Sequence, residues 1–441
     1  MAARQMDHAR SDDPVLDRLL RAAGQQQITG VDLSLERISR LLARMASPHR
    51  KLPPVLHVAG TNGKGSTCAF LRAALEAAGH QVHVFTSPHL VRVNERIRIS
   101  GALVSDADLA EALADVLRFN AGQPLSFFEA MTAAAFLLFA AHPADACILE
   151  VGLGGRLDST NVVEQPLVTG ISQLAMDHVA ILGPTIRHIA AEKAAIAKRG
   201  VPLVTQKYPG GVAAKVAEVA ALHGAKLWAR GEAWDAAVYD GQLAFRAFAG
   251  EDEPLKLPLP KLAGAHQADN AALAVAMLRA QTALNVPDSA LRSAMGWAQW
   301  PGRLQRLTAG PLAALLPAGS ELWVDGGHNP AAGKALAAFL RETLPALPLH
   351  LVVGMLATKD HAAFLKAFPV GTRISAVPVA GHEVATPGEL ALAARGLGMQ
   401  AEAFAGLADA LACIERPARV LIAGSLHLAG EALAANGVLP A

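Results

Sequence analysis

Val55-Leu56-His57-Val58-Ala59-Gly60-Thr61-Asn62-Gly63-Lys64-Gly65-Ser66-Thr67 is the stretch that decides the fold. Val55 to Ala59 is a short, mostly apolar run closed by glycine, the pattern of a buried strand. A helix is expected from about Ser66 to Ala78, with Gly79 ending it as a C-cap. Gln81 to Thr86 reads as the next strand. Strand, helix and strand at this spacing form a βαβ unit and imply a parallel sheet. In the turn, glycines let backbone N–H groups face a phosphate. The helix N-terminus adds its dipole, Lys64 a point charge, and Ser66 or Thr67 a hydroxyl for Mg²⁺. The common Walker spacing is not met: position 58 is Val58 rather than glycine, and Gly65 stands where Ser or Thr would follow the lysine. The bland alternative is an ordinary Gly-rich βα turn.

Outward from this unit, Ala146 to Val151 and Leu167 to Ser172 are further buried-strand candidates, and Pro184 to Arg199 reads as a helix with Gly200 beyond it. A second α/β set follows, with strands expected at Leu322 to Asp325, Leu349 to Val353, Arg373 to Pro378 and Arg419 to Ala423. Trp297 to Arg306, with two Trp, one Pro and one Gly, marks the boundary. The expected division is 1–298, a linker at 299–306, and 307–441. No repeat of fixed period is visible.

Composition agrees. The 441 residues are 52% hydrophobic and 17% charged, enough for two to three domains at roughly 100–200 residues each and too apolar for a disordered chain. The 39 basic and 38 acidic residues leave a net charge of +1, and aromatics are 5%. Neither suggests a nucleic-acid partner. The longest apolar stretch, Ala130 to Ala141, falls short of the ~20 residues of a membrane span. Met1 to Pro14 has no apolar core, so no secretory signal is expected. Cys68, Cys147 and Cys413 form neither a disulfide framework nor a CxxC zinc site, which suits a reduced, cytoplasmic protein.

Ligands of open parallel sheets bind beyond the carboxyl ends of the strands. Ser87, Glu150 and His178 each lie at or just past such an end. Singly they read as a turn residue, a solvated strand end and a loop residue; together they read as candidate Mg²⁺ ligands, although histidine is unusual in such a set. In the helix from Pro184, Ile186, Ile189 and Ile196 make an apolar stripe and Lys193 falls on it. A lysine there must snorkel, lose its charge or be chemically modified, for instance carbamylated.

These residues together resemble the folylpolyglutamate synthase and dihydrofolate synthase family, relatives of the Mur ligases. The resemblance covers nearly the whole chain after about residue 30. It rests on Gly60-Thr61-Asn62-Gly63-Lys64-Gly65-Ser66, Ser87-Pro88-His89-Leu90, Asn94-Glu95-Arg96-Ile97, Phe128-Glu129, Glu150-Val151-Gly152-Leu153-Gly154-Gly155-Arg156-Leu157-Asp158, Asp177-His178, Glu192-Lys193-Ala194, His266-Gln267 with Asn270, Gly302-Arg303, and Asp325-Gly326-Gly327-His328-Asn329-Pro330. It implies an α/β fold: an N-terminal P-loop ATPase-type domain with a mostly parallel sheet, and a C-terminal Rossmann-like domain. It implies an ATP-dependent amide ligase in which Gly60 to Thr67 hold the ATP phosphates and Ser87, Glu150 and His178, with Ser66, hold Mg²⁺. Lys193 matches the family's carbamylated lysine. Asn270, Arg303 and Asp325 match nucleotide contacts, and His328 lies beside them. Lys64, Lys193 and His328 are the expected catalytic groups. The pterin side would come from Ser126, Phe127, Phe128 and Glu129 and from Leu157, Asp158 and Ser159. Phe127 and Phe128 read equally as core residues of their helix. Two departures stand out: Thr358-Lys359-Asp360 where Asp-Lys-Asp is common, and His427 in Gly424-Ser425-Leu426-His427 where an aromatic is usual.

The implied chemistry adds L-glutamate to 7,8-dihydropteroate and to tetrahydrofolate or its polyglutamates through an acyl phosphate. The implied partners are small molecules only, on a monomer. The alternatives are a folylpolyglutamate synthase without the dihydropteroate activity and another Mur-type amino-acid ligase. Against the latter, only about 50 residues precede the phosphate loop, the bottom of the usual domain size range. A non-catalytic nucleotide-binding regulator would not need the metal set, Lys193, Asp325 and His328 together.

Overall fold

The computed structural model describes residues 11–25, 33–248, 253–343, 347–381 and 383–440. Residues 1–10, on which most of the reading of the N-terminus rests, lie outside them. The first sheet has eight strands: β1 (Val55–Ala59), β2 (Val82–Phe85), β3 (Ile97–Ile99), β4 (Ala102–Leu103), β5 (Ala146–Glu150), β6 (Val168–Ile171), β7 (Pro202–Thr205) and β8 (Lys226–Ala229), in the order β4-β3-β2-β5-β1-β6-β7-β8. The six strands from β2 to β8 in that order run parallel, and β3 and β4 pair antiparallel at one edge. β1 is buried at all five positions, as a strand covered on both faces must be. A small antiparallel meander follows, β9 (Trp234–Tyr239), β10 (Gln242–Ala247) and β11 (Leu255–Pro258).

The second sheet has β12 (Gln305–Leu307), β13 (Glu321–Val324), β14 (Leu349–Val353), β15 (Arg373–Ala376), β16 (Gln400–Ala403) and β17 (Arg419–Ala423), in the order β12-β13-β17-β14-β15-β16. Only β12 runs antiparallel. The architecture is the expected pair of α/β units, with the meander and the antiparallel edge strands as additions. β12 begins inside the segment expected to be linker.

The helix Lys64–Ala77 is buried on nearly all sides, because β1 lies beneath it and the helices His266–Arg279 and Asp288–Trp297 pack against it. One core cluster joins Phe70, Leu273 and Leu291 there, and another lies under the helix Phe127–Ala141 on the opposite face. The helix expected from Pro184 to Arg199 covers only Ile186–Ala194. Thr185 caps its start by accepting from the His188 amide, and the Asn161 side chain donates to the Ala195 carbonyl, the acceptor that a continuing helix would use.

Phe70→Ala removes a ring that is 1% exposed at the centre of the first cluster. It is expected to cost about 3–5 kcal/mol, read as an earlier urea midpoint for the first domain.

Candidate active site

Register fixes the site. β1 lies between β5 and β6, all three parallel, with Val58 opposite Glu150 and Ala59 opposite Ile171. The phosphate loop after Ala59, the Glu150 carboxylate and the loop carrying His178 therefore leave the sheet on one edge. β2, beside β5, brings Ser87 to the same edge. The Ser87 amide donates to Glu150 Oε2 at 3.2 Å, and Lys64 Nζ stands 4.0 Å from Glu150 Oε1. Burial raises the Glu150 pKa, opposed by the Lys64 charge and the Ser87 amide.

The loop is stapled to the segment after β6. Thr61 N and Asn62 N donate to the Gln173 carbonyl at 2.9 and 3.1 Å. The Ser172 hydroxyl donates to the Asn62 carbonyl, and the Thr61 hydroxyl to that of Ala175. Gly63 (φ 86°) turns the chain into the helix, and Asn270 sits where a side chain on Gly63 would stand. Thr67 donates its hydroxyl to the Gly63 carbonyl at 2.9 Å. Ser66 is buried beside it.

Lys193 is 5% exposed. Its Nζ donates to the Gly60 carbonyl at 2.8 Å. Burial, with the Lys64 charge nearby, lowers its pKa to about 7. The anomaly in the helical pattern is thus a buried amine, against the phosphate loop, that is half neutral near pH 7.

His178 adopts a left-handed conformation (φ 50°) at the head of a short turn. Burial, and then the Lys359 charge, lower its pKa to about 3, so its ring is neutral. The preceding residue gathers the second domain. Asp177 accepts from Lys359 Nζ at 2.6 Å and from Asn329 Nδ2 at 3.2 Å, and His328 Nε2 lies at 3.3 Å. Burial alone would raise Asp177, but the hydrogen bond from His328 and the nearby Lys359 ammonium hold it well below the carboxylate range. Asn62 and Asn329 also bond to each other across the cleft. Asp325 accepts from Leu304 N and Gly327 N at 2.8 and 2.6 Å, tying the linker to the end of β13. The Arg303 charge reaches both Glu150 and His266.

The expected pterin residues form a separate group on the other face of β5. Ser126 and Glu129 close a capping box, and Glu129 pairs with Arg37 at 3.1 Å. The two phenylalanines divide. Phe127 is core, 3% exposed, under the Arg96 guanidinium. Phe128 is half-buried with its ring against Gly152. Leu157 is half-buried, while Asp158 and Ser159 are buried.

Asp177, Asn329 and Lys359 were absent from the expected site set, although each lies in a motif or departure noted above. Trp300 was also missed. Its ring packs on Gly65, where any side chain would collide with it. The signals were a tryptophan in the linker and a glycine where Ser or Thr usually follows the lysine. Among the described residues no group of three His, Cys, Asp or Glu side chains could hold a metal ion; the expected set contains only two of these types, Glu150 and His178. Among the described residues no helix is long and apolar enough to cross a membrane.

The comparisons with known proteins agree with this layout. Residues 58–278 match the Mur ligase middle domain, and residues 303–426 match the Mur ligase glutamate ligase domain. The two domains are therefore those of a Mur-type ligase. The dihydrofolate synthase/folylpolyglutamate synthase of Escherichia coli is 36% identical over 405 residues, 90% of each chain. That of Bacillus subtilis is 37% identical over 354 residues, 76% of this chain and 79% of the relative. The structure of E. coli FolC in complex with DHPP and ADP superposes with TM-score 0.84 at 33% identity, covering 95% of this chain and 97% of that one. A bifunctional folylpolyglutamate synthase/dihydrofolate synthase with Mn, AMPPNP and L-glutamate bound gives TM-score 0.84 at 31% identity, covering 98% and 100%. The chain belongs to the dihydrofolate synthase/folylpolyglutamate synthase family.

Asp177→Asn keeps the shape and removes the charge that Lys359 and His328 face. Each charge-assisted hydrogen bond contributes roughly 1.5–3 kcal/mol, so the variant is expected to loosen the contact between the domains. Small-angle X-ray scattering should show a larger radius of gyration for the variant. An unchanged radius would mean that Asp177 does not hold the domains together.

Proposed function

We infer that this chain is an ATP-dependent ligase that joins L-glutamate to 7,8-dihydropteroate and to tetrahydrofolate or its polyglutamates. The observation carrying this reading is the meeting of the two domains at Asp177. A phosphate loop on one side faces Lys359, His328 and Asn329 on the other. The family membership and the relatives solved with nucleotide, DHPP and glutamate support it. We divide the chain into an ATP-binding domain (1–298), a linker (299–306) and a C-terminal ligase domain (307–441). It acts as a monomeric, cytoplasmic enzyme on small molecules.

The donor set fits a divalent metal. Glu150 is a buried carboxylate with Lys64 Nζ 4.0 Å away and the charges of Arg303 and Arg96 also acting on it. His178 is held neutral, the form that can ligate. With the Ser87 and Ser66 hydroxyls, these residues would hold Mg²⁺, which would supply Lewis-acid stabilisation of phosphoryl charge. Lys64 and the loop amides from Gly63 onward neutralise charge on the transferring phosphoryl group. Asn270, Arg303 and Asp325 bind the nucleotide from the helix His266–Arg279, the linker and the end of β13. The substrate carboxylate attacks the γ-phosphate, ADP leaves, and the acyl phosphate forms. The neutral amine of glutamate then attacks the acyl carbon and phosphate departs. Lys359, His328 and Asn329 close the second domain over the loop and keep water from the acyl phosphate. Ser126 and Glu129 fix the start of the helix bearing Phe128, and Leu157, Asp158 and Ser159 complete the pterin side.

Lys193 acts as its carbamate. Its neutral amine adds CO₂ and releases one proton, giving an anion beside the phosphate loop. The neutral fraction grows as pH rises through about 7, so carbamylation is favoured above that pH and lost below it. Enzyme stripped of CO₂ is expected to lose activity and recover it with bicarbonate, most fully above pH 7. Lys193→Ala should lower kcat by about 100-fold or more, in the range of lost electrostatic stabilisation, with partial rescue by a short carboxylic acid. Full activity of that variant would refute the role.

ADP release with Mg²⁺-ATP and glutamate, measured with dihydropteroate and separately with tetrahydrofolate, tests the whole reading. Turnover with both is expected. Turnover with tetrahydrofolate alone would leave a folylpolyglutamate synthase without the first activity. Turnover with neither would overturn the folate reading.

A further inference from the structure

A polar chain runs through the core between the phosphate-loop strand and the pterin loop. His57, on β1, places Nε2 2.8 Å from the Thr160 hydroxyl, and that hydroxyl donates to Asp158 Oδ1 at 2.5 Å. His57 and Thr160 are fully buried and Asp158 is 3% exposed. The bonds run in one direction. Asp158 Oδ1 accepts from the Thr160 amide, and the Thr160 hydroxyl donates to the same oxygen. The hydroxyl oxygen then accepts from His57, which must carry its proton on Nε2. Among the described residues the buried Nδ1 has no partner, which suits a bare nitrogen and not an N–H. Burial, with Lys198 nearby, lowers the His57 pKa to about 3 and keeps the ring neutral.

Asp158 is occupied on its other sides by its own loop. The Thr160 amide donates to Oδ1 at 3.0 Å and the Leu153 amide to Oδ2 at 2.9 Å. Burial raises the Asp158 pKa, opposed by the Thr160 hydroxyl and by the amides of Leu153, Thr160 and Gly152. Gly152 is where the Phe128 ring rests, with Cζ 2.6 Å from where a Cβ would stand. The neighbours of His57 on the strand, Leu56 and Val58, are buried and apolar. Packing alone would be served by another apolar residue, because a buried polar group is costly unless bonded.

We propose that His57 and Thr160 are positioning residues for the pteridine substrate. Their relay holds the Asp158 carboxylate, and through it the Gly152–Leu153 turn, in register with Phe128. The proposal rests on the reading of Phe128 and Asp158 as the pterin side. The relay leaves the nucleotide side untouched, so its loss should be felt by one substrate only.

Thr160→Val keeps the branched shape and removes the hydroxyl, while Thr160→Ser restores it. Thr160→Val is expected to raise KM for dihydropteroate about tenfold, the scale of one lost charge-assisted bond. KM for ATP should stay within about twofold. Thr160→Ser should return the dihydropteroate KM to near the wild-type value. In ¹⁵N-histidine-labelled wild-type enzyme, long-range ¹H–¹⁵N NMR should show His57 as the neutral Nε2–H tautomer from pH 5 to 8. An unchanged dihydropteroate KM in Thr160→Val, an equal rise in both KM values, failure of Thr160→Ser to rescue, or an Nδ1–H or doubly protonated His57 would each overturn the proposal. The NMR result decides it even if Thr160→Val does not fold. Failure of the underlying reading would appear differently, as wild-type enzyme without dihydropteroate-dependent ADP release.

Discussion

Everything at this site depends on β1 being held between two parallel partners. Val58 faces Glu150 on β5, and Ala59 faces Ile171 on β6. Three strands running the same way must deliver their following loops to one edge. That constraint brings a lysine, a buried carboxylate and a neutral histidine to one edge of the sheet without any of them being close in sequence. A slip of one residue in the register would turn Glu150 to the other face of the sheet.

The second domain meets this edge through few but specific contacts. Asp177 is gripped by Lys359 and Asn329 with His328 beside it, and Asn62 bonds to Asn329. Leu90, in the loop after β2, packs so closely on Gly430 that no larger residue fits there. The Glu95 carboxylate fixes that loop by accepting from the amides of Leu90, Val91 and Arg92. Trp300 on Gly65 anchors the linker to the phosphate loop itself. An acyl phosphate hydrolyses in water, so a ligase of this kind needs a site completed by both domains and closed around the intermediate. The contacts seen here provide that closure through side chains that also border the phosphate loop.

Much of this was legible in the sequence for physical reasons. β1 was readable because a buried parallel strand is an apolar run stopped by glycine. Lys193 drew notice because a charge on an apolar stripe conflicts with helical periodicity, and burial against Gly60 is the resolution. Tertiary contacts explain what was not legible. The helix bearing Lys193 gives way after Ala194 to tighter turns, in which the Ile196 and Ala197 amides bond to Lys193 and Ala194, and the distant Asn161 side chain takes the Ala195 carbonyl. The convergence on Asp177 joins residues up to 182 positions apart, which no local spacing encodes. The meander β9–β11 was encoded as well, by the alternating burial along β10 and β11 and by the Asp240-Gly241 turn between β9 and β10, but its strands stand outside the βαβ pattern. Phe127 and Phe128 looked alike, and only the positions of Arg96 and Gly152 separate them, placing Phe127 in the core and the Phe128 ring against the Gly152 turn.

The central claim is that the substrate carboxylate is phosphorylated here before glutamate attacks. An ¹⁸O label in the carboxylate of dihydropteroate reads that step directly. If an acyl phosphate forms and its acyl carbon is attacked, one carboxylate oxygen must leave with the phosphate. Mass analysis of the phosphate released during turnover with Mg²⁺-ATP and glutamate should show a single ¹⁸O in each molecule derived from the doubly labelled substrate. Unlabelled phosphate accompanying labelled amide product would contradict the account.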